Sequence, residues 1–535
     1  MSRASRFYVS VPHLAVLLVA ASVFVIGVRY GTFAASDTDP YGYVSESELI
    51  AHGTLRVDQR FALTLPFRNA PAAFAPAGYK LAPVDGFIVP TYPPGLPLVM
   101  AALLRVTGQR GAVYYAVPLF GAVTIWLTAL LGTRVYSPLA GVLAAVLVAT
   151  SPSFLYQVTQ PVSDVPAAAW TTLALLLALH ERKWARLTSG LAASLAILTR
   201  PNLVVLALVI AGLHLWQTAF GSERREERRG APLLLFIAGL IPGCIALAAL
   251  NQYLYGSPRG FGYAPFGELY EWSAVLPNLD RYPRWLMQTQ TPFVLLGLLA
   301  PLFARRHRAS LWLLLTFAAA LFLSYLPYGV FGREEWIYVR FLLPAYPALI
   351  ALSVVAGLSL ADRLPHRKTT LLYGFVAVVV AVALWQAREA VRRGAFVTYL
   401  VEQRYLDVAR YVAGLPRDAV VIASLHAGSI RHHAGQLTIN YRGLHPRALD
   451  DAIAALDARG ERVYFVLEAG EEDHFRWQFG TYSNRGRLDW PPAAQTFRGV
   501  PIHLYDPRDR ERFLAGQPVV TYDIGLVAKP IVRQK

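Results

Sequence analysis

Four acids, Asp37, Asp39, Glu46 and Glu48, crowd the stretch AASDTDPYGYVSESE at residues 34–48, just after the apolar run AVLLVAASVFVIGV. Asp37 and Asp39 are two apart, so in an extended segment both carboxylates point the same way. Three further ionisable residues stand at the ends of apolar runs: Asp164 in QPVSDVP, Arg200 in LTRPN and Arg340 in YVRFLLPAYP. Carboxylates and guanidinium groups at one membrane margin suit group transfer from a lipid-linked phosphate. An attacking hydroxyl needs a carboxylate to take its proton, and a departing phosphate needs fixed positive charge, which arginine supplies bidentately. Two close carboxylates also tend to raise one partner's pKa, which suits a base. Spacing alone leaves plainer readings open. Asp39-Pro40 fits a helix N-cap followed by proline; Asp164 fits an N-cap before VPAAAW; and Arg200 and Arg340 fit interfacial anchors.

Membrane helices must position these groups. The 535 residues are 55% hydrophobic and 16% charged, with a mean hydropathy of +0.39. Soluble domains carry about 25% charged residues, so the composition is that of a membrane protein. Spans are expected at residues 11–30, 112–131, 138–156, 165–180, 187–199, 202–220, 231–251, 291–304, 311–328, 341–361 and 371–386, about eleven in all. The net charge of +16 gathers in short basic clusters between these runs: Arg3 and Arg6, Arg134, ERKWAR, SERREERR, ARRHR and DRLPHRK. By the positive-inside rule they face the cytoplasm, which accounts for the charge without a nucleic-acid partner. The other side receives the long first outer loop, 31–111, and everything after residue 393. PPGLPLVMAALL at 93–104 is short, and counting it as a span would invert the arginine clusters, so it is expected to be interfacial or re-entrant. The amino-terminal apolar run is long for a signal peptide and reads as an uncleaved anchor.

Beyond residue 393 the texture changes. AVVIAS and RVYFVL are strand-like, while YLDVARYVAGL and PRALDDAIAALDARG have helical periodicity, so residues 394–535 are expected to form an exported α/β domain. No glycine-rich phosphate loop follows either strand, which argues against a nucleotide site. His426, His432 and His433 have helical spacing but few acidic neighbours, and are expected at the surface rather than on a metal. The single cysteine, Cys244, permits no intrachain disulfide and is expected to be a packing residue.

The motifs fall in a familiar order. SDTDPYGYVSESELIAHG resembles the first outer loop of GT-C glycosyltransferases, in the group of aminoarabinose transferases, protein O-mannosyltransferases and rhizobial lipopolysaccharide transferases. Asp39 and Tyr43 match that loop's acid and its aromatic four residues on, and Asp37 matches a further upstream acid. TYPPGLPLVMAALLRVTG, with Tyr92, resembles the segment closing the loop. SPSFLYQVTQPVSDVPAAAWTTLALLL, LTRPN and VRFLLPAYPALIAL resemble the family's later motifs. Two positions depart from the pattern: Pro40 follows Asp39 where many relatives have Glu, and Arg200 stands where some have Lys. The resemblance implies an α-helical polytopic enzyme that moves a sugar, with inversion, from a polyprenyl-phosphate donor. Its acceptor would be a lipid, glycan or protein on the outer face of the bacterial inner membrane. It implies Asp39 as base with Asp37 assisting, Asp164, Tyr43 and Tyr92 against substrate, and Arg200 and Arg340 on the lipid phosphate. No cofactor is expected, although the family leaves a divalent cation open. A flippase of lipid-linked sugar, or a non-catalytic envelope-binding protein, would share some of these features.

Overall fold

In a computed structural model, the structure describes residues 3–220, 231–263, 266–304, 307–329, 335–524 and 531–533. The cluster SERREERR, part of ARRHR, Glu334 and the side chains of Arg3 and Arg6 lie outside the described residues.

Among the described residues six helices are long and apolar enough to cross a bilayer: Pro12–Arg29, Arg110–Val135, Pro232–Tyr255, Arg308–Tyr325, Trp336–Asp362 and Pro365–Arg392. Two bent pairs pass the same test together, Pro138–Thr150 with Pro152–Val158 at 66° and Trp272–Gln290 with Pro292–Phe303 at 107°. The shorter apolar helices are Gly95–Thr107, Asp164–Ala178 and Pro201–Gln217. At about 1.5 Å per residue, these fall short of the roughly 30 Å of a hydrocarbon core. Two of them, Asp164–Ala178 and Pro201–Gln217, coincide with expected spans. Gly95–Thr107 is the segment expected to be interfacial, and it lies against the helix Asp39–His52. Cys244 is exposed on Ala231–Tyr255 rather than packed.

The first outer loop is structured. After Asp39–His52 it forms a small antiparallel sheet in the order β1-β3-β2, from β1 Val57–Asp58, β2 Tyr79–Leu81 and β3 Phe87–Pro90. A helix, Thr398–Ala413, follows the final membrane helix and leads into a seven-stranded mixed sheet. Its strands are β4 Ala419–Ala423, β5 Leu437–Asn440, β6 Arg462–Glu468, β7 Ala494–Phe497, β8 Pro501–Tyr505, β9 Val519–Asp523 and β10 Ile531–Arg533. Their order is β10-β9-β7-β8-β6-β4-β5. β4 runs parallel to both β5 and β6, each reached through a helical crossover. The wholly buried β4, AVVIA, is the apolar run expected of a central parallel strand.

Each face of this sheet has its own core. On one face Val421, Ala423, Val466 and Leu504 meet the apolar side of Thr398–Ala413. The core on the other face is completed from the first outer loop: Ala62, Leu65, Phe67, Ala73 and Phe74 pack among Ile422, Ile439, Phe465 and Phe475.

Candidate active site

Four elements end at one place and deliver the charged groups. Asp39 opens the helix Asp39–His52, and Asp164 opens Asp164–Ala178. Arg200 follows the last residue of Lys183–Thr199, and Arg340 lies in a 3₁₀ segment, Trp336–Ala345. Asp39 is not an N-cap. Thr38 occupies that position without a side-chain bond, and Asp39 is the first helical residue, with Pro40 behind it. Ser163 likewise takes the cap position that the sequence suggested for Asp164. Both carboxylates are thereby free for other partners.

Those partners form a closed circuit. Arg340 Nη2 donates to Asp39 Oδ2 at 3.1 Å, and its Nη1 lies 4.0 Å from Asp164 Oδ2. Arg200 Nη2 lies 2.8 Å from Asp164 Oδ1, and its Nε donates to Ser163 Oγ at 3.0 Å. The Tyr43 hydroxyl donates to the same Ser163 Oγ at 2.8 Å, and the Tyr43 ring lies 4.6 Å from that of Tyr92. The Tyr92 hydroxyl closes the circuit by donating to Asp39 Oδ1 at 2.6 Å. Both guanidinium groups also lie over the Phe341 ring, at 5.8 and 5.4 Å. Exposure grades across the array: the Asp164 side chain is 1% exposed, Arg200 13%, Arg340 21% and Asp39 35%. The array is therefore buried at Asp164 and open at Asp39.

The two aspartates of the first loop differ electrostatically. Burial pushes the Asp39 carboxyl up, but the charge and hydrogen bond of Arg340 and the Tyr92 hydroxyl more than offset it, leaving Asp39 below the ordinary carboxylate range. Asp37 has no such partner. Desolvation by the surrounding protein, with the charges of Asp39 and Glu402, raises it to about 6. Its backbone sits at φ 44°, an uncommon conformation for a non-glycine residue.

Six of the seven sequence-selected residues thus touch one another through side chains, and Asp37 lies beside them. Ser163, Phe341, Glu402 and Tyr263, whose ring lies 5.7 Å from that of Tyr92, join the site without having been expected there. Ser163 and Phe341 sit inside quoted motifs, whereas Tyr263 and Glu402 carry no sequence signal. Glu46, Glu48 and Glu335 take no part in this circuit. Glu46 is fully buried with neither carboxyl oxygen bonded, and desolvation holds it well above its ordinary value. Glu48 pairs loosely with Arg110 at 3.7 Å and His432 at 3.6 Å. Glu335 is exposed.

The histidines are not surface residues. His426 is fully buried, with Nε2 3.2 Å from Glu468 Oε1, and His433 Nε2 accepts from the Ala35 backbone N–H at 3.1 Å. His433, with His432 beside Glu48, fastens the sheet region to the first loop. Among the described residues no three His, Cys, Asp or Glu side chains gather to hold a metal. Asp39 and Asp164 are turned toward arginines.

ArnT from Cupriavidus metallidurans in the apo state superposes with a TM-score of 0.58 at 14% identity, over 94% of this chain and 98% of that one. The chain has the GT-C fold. The Archaeoglobus fulgidus oligosaccharyltransferase tethered to an acceptor peptide shares it, with a TM-score of 0.57 at 14% identity over 98% of this chain and 76% of that one. So does that organism's AglB in complex with an inhibitory peptide and a dolichol-phosphate, with a TM-score of 0.51 at 15% identity over 91% and 72%. Residues 91–242 match the family model for dolichyl-phosphate-mannose-protein mannosyltransferase. That segment of the GT-C fold contains Tyr92, Ser163, Asp164 and Arg200. No curated protein sequence matches significantly.

Proposed function

We propose that this multi-pass membrane protein is an inverting glycosyltransferase that moves a sugar from a polyprenyl-phosphate donor to an acceptor hydroxyl at the outer face of a bacterial inner membrane. The observation that carries this reading is the circuit joining Asp39, Arg340, Asp164, Arg200, Tyr43 and Tyr92 at the ends of four elements. The GT-C neighbour solved with dolichol-phosphate supports the donor class. The amino terminus is cytoplasmic in this reading and the sheet region is outside, so donor, acceptor and membrane lipids meet at the circuit's open end.

Each group then has a task. Arg200 and Arg340 hold the donor phosphate, and Asp164, buried between them, fixes their geometry. The acceptor oxygen attacks the anomeric carbon as the bond from that carbon to the phosphate oxygen breaks. Its electron pair leaves on the polyprenyl phosphate, whose developing charge the two arginines stabilise. The acceptor proton passes to Asp39. Asp37, the more basic and more open carboxylate, takes it on to solvent, a downhill transfer from a weaker to a stronger base. Tyr92 and Tyr43 hold Asp39 and Ser163 in place. Positive charge comes from arginine here, so no metal or cofactor is invoked.

Asp39→Asn in nanodiscs, assayed with a panel of polyprenyl-phosphate sugars and an envelope extract as acceptor, is expected to lose transfer by about 10²–10⁴-fold, the typical worth of a general base. Full transfer by a folded Asp39→Asn protein would overturn the assignment of the base. Absence of transfer by wild type with every donor in the panel would overturn the enzyme reading.

A further inference from the structure

The sheet beyond the circuit carries a second built surface. On β8, β7 and β9, His503, Gln495 and Asp523 stand in register across adjacent strands. Alternation along the strands puts Phe497 and Pro501, themselves paired, on the same face two residues further on. The helix Ala469–Phe479 covers this face only as far as His503, which its Glu472 engages. Past that point Phe497 is 71% exposed. Two open cavities, of about 470 and 330 Å³, flank the row and share Gln495 and His503 as lining. The larger is bounded by Phe497 and Pro501, the smaller by Trp490, Tyr505 and Phe513. Together they make a groove with aromatic carbon at both ends and planar polar groups between.

The charges in this groove are already used within the protein. Arg498 donates to Asp407 at 2.8 Å, and Arg510 binds Asp489 through two bonds of 2.7 and 2.8 Å. Gln495 donates its amide to Asp523 at 2.9 Å. Among the described residues lining the groove no unpaired cation is presented to an anion, which disfavours phosphate, nucleotide or an anionic polymer. What remains is the amide oxygen of Gln495, the second carboxylate oxygen of Asp523, an imidazole edge and an exposed aromatic face. Amide, carboxylate and imidazole edges pair with hydroxyl groups, and the apolar C–H face of a sugar ring packs on an aromatic ring. Each cavity is in the range of small-molecule sites.

We propose that this groove binds a neutral oligosaccharide, with Phe497 as the stacking platform and Gln495, Asp523 and His503 as hydroxyl partners. The site shares no residue with the acid–arginine circuit and does not depend on the transfer reading.

The test uses the full chain in lipid nanodiscs, since sugar-headed detergents would compete. It is applied to an array of neutral glucan, mannan, galactan and arabinan oligosaccharides beside phosphorylated and uronic-acid glycans. The expected result is binding to one or more neutral oligosaccharides of three or more units. Phe497→Ala and Gln495→Ala should each weaken that binding at least tenfold, and Asp39→Asn should leave it unchanged. Because Phe497 is exposed, its replacement is not expected to impair folding; an unchanged thermal transition would verify this. No neutral binder on the array, binding indifferent to both groove variants, or preference for the anionic glycans would each overturn the proposal. The Asp39→Asn arm separates this outcome from failure of the transferase reading.

Discussion

Asp37 and Asp39 are two residues apart and differ in how tightly they hold a proton. Asp39 is tied to Arg340 and Tyr92 and stays ionised. Asp37 has a carboxyl raised to about 6. The sign follows directly: a raised acid binds more protons folded than unfolded, so its ionisation costs stability as pH climbs from about 4 toward 6. Activity runs the other way, because only ionised Asp37 accepts a proton. Transfer is therefore expected to rise between about pH 5 and 7 with a midpoint near 6. In Asp37→Asn that limb should vanish and the residual rate should be flat over the range. A pH–rate profile of kcat for both proteins checks this; an unchanged limb in the variant removes Asp37 from the proton path.

At the scale of elements, the site depends on how closely segments approach. Gly95 opens the helix Gly95–Thr107, and a Cβ there would lie 2.4–2.6 Å from the Thr199 hydroxyl, amide and Cα. That contact seats the loop-closing segment against the residue before Arg200. Gly95→Ala is expected to cost about 1–3 kcal/mol of stability, the usual range for overpacking. It should also raise the donor KM, because Arg200 is displaced with Thr199; thermal unfolding and donor titration read the two effects separately. Such approaches explain what was legible in the sequence. Asp39, Asp164, Arg200 and Arg340 stood out because ionisable residues at apolar margins are costly and few. The wholly apolar β4 was visible as AVVIAS for the same kind of reason. Glu46 was not legible, since nothing in YVSESELI distinguishes a solvated glutamate from one sealed within the loop. Nor were the histidines: their spacing is that of a short surface helix, and burial came from a partner segment some 400 residues earlier, Ala35 for His433.

Over the whole molecule, the first loop and the sheet region share one core among the described residues. Phe67 and Phe74 lie in the core beneath Ile422 and Phe465, and Arg431 donates to the Phe74 carbonyl at 2.9 Å. Gly428 sits so close to Tyr41 that a Cβ would lie 2.3 Å from its ring. A chain ending at residue 393 would leave Phe67 and Phe74 without their partners. Burying such a side chain is worth about 1.5–3 kcal/mol. Limited proteolysis of that truncated protein is expected to cut within residues 56–78, which the full chain should protect, and transfer activity should be lost. Equal protection in the two proteins would show that the loop holds its shape alone.

This interlocking has a consequence in time. A membrane chain is threaded from its amino end, so the loop carrying Asp37 and Asp39 emerges early, while the strands that bury its aromatic residues follow much later. Until then the loop is an unfinished half of a core, and the acids are in place before the shape around them is complete. The order of synthesis therefore sets the order in which this core can close.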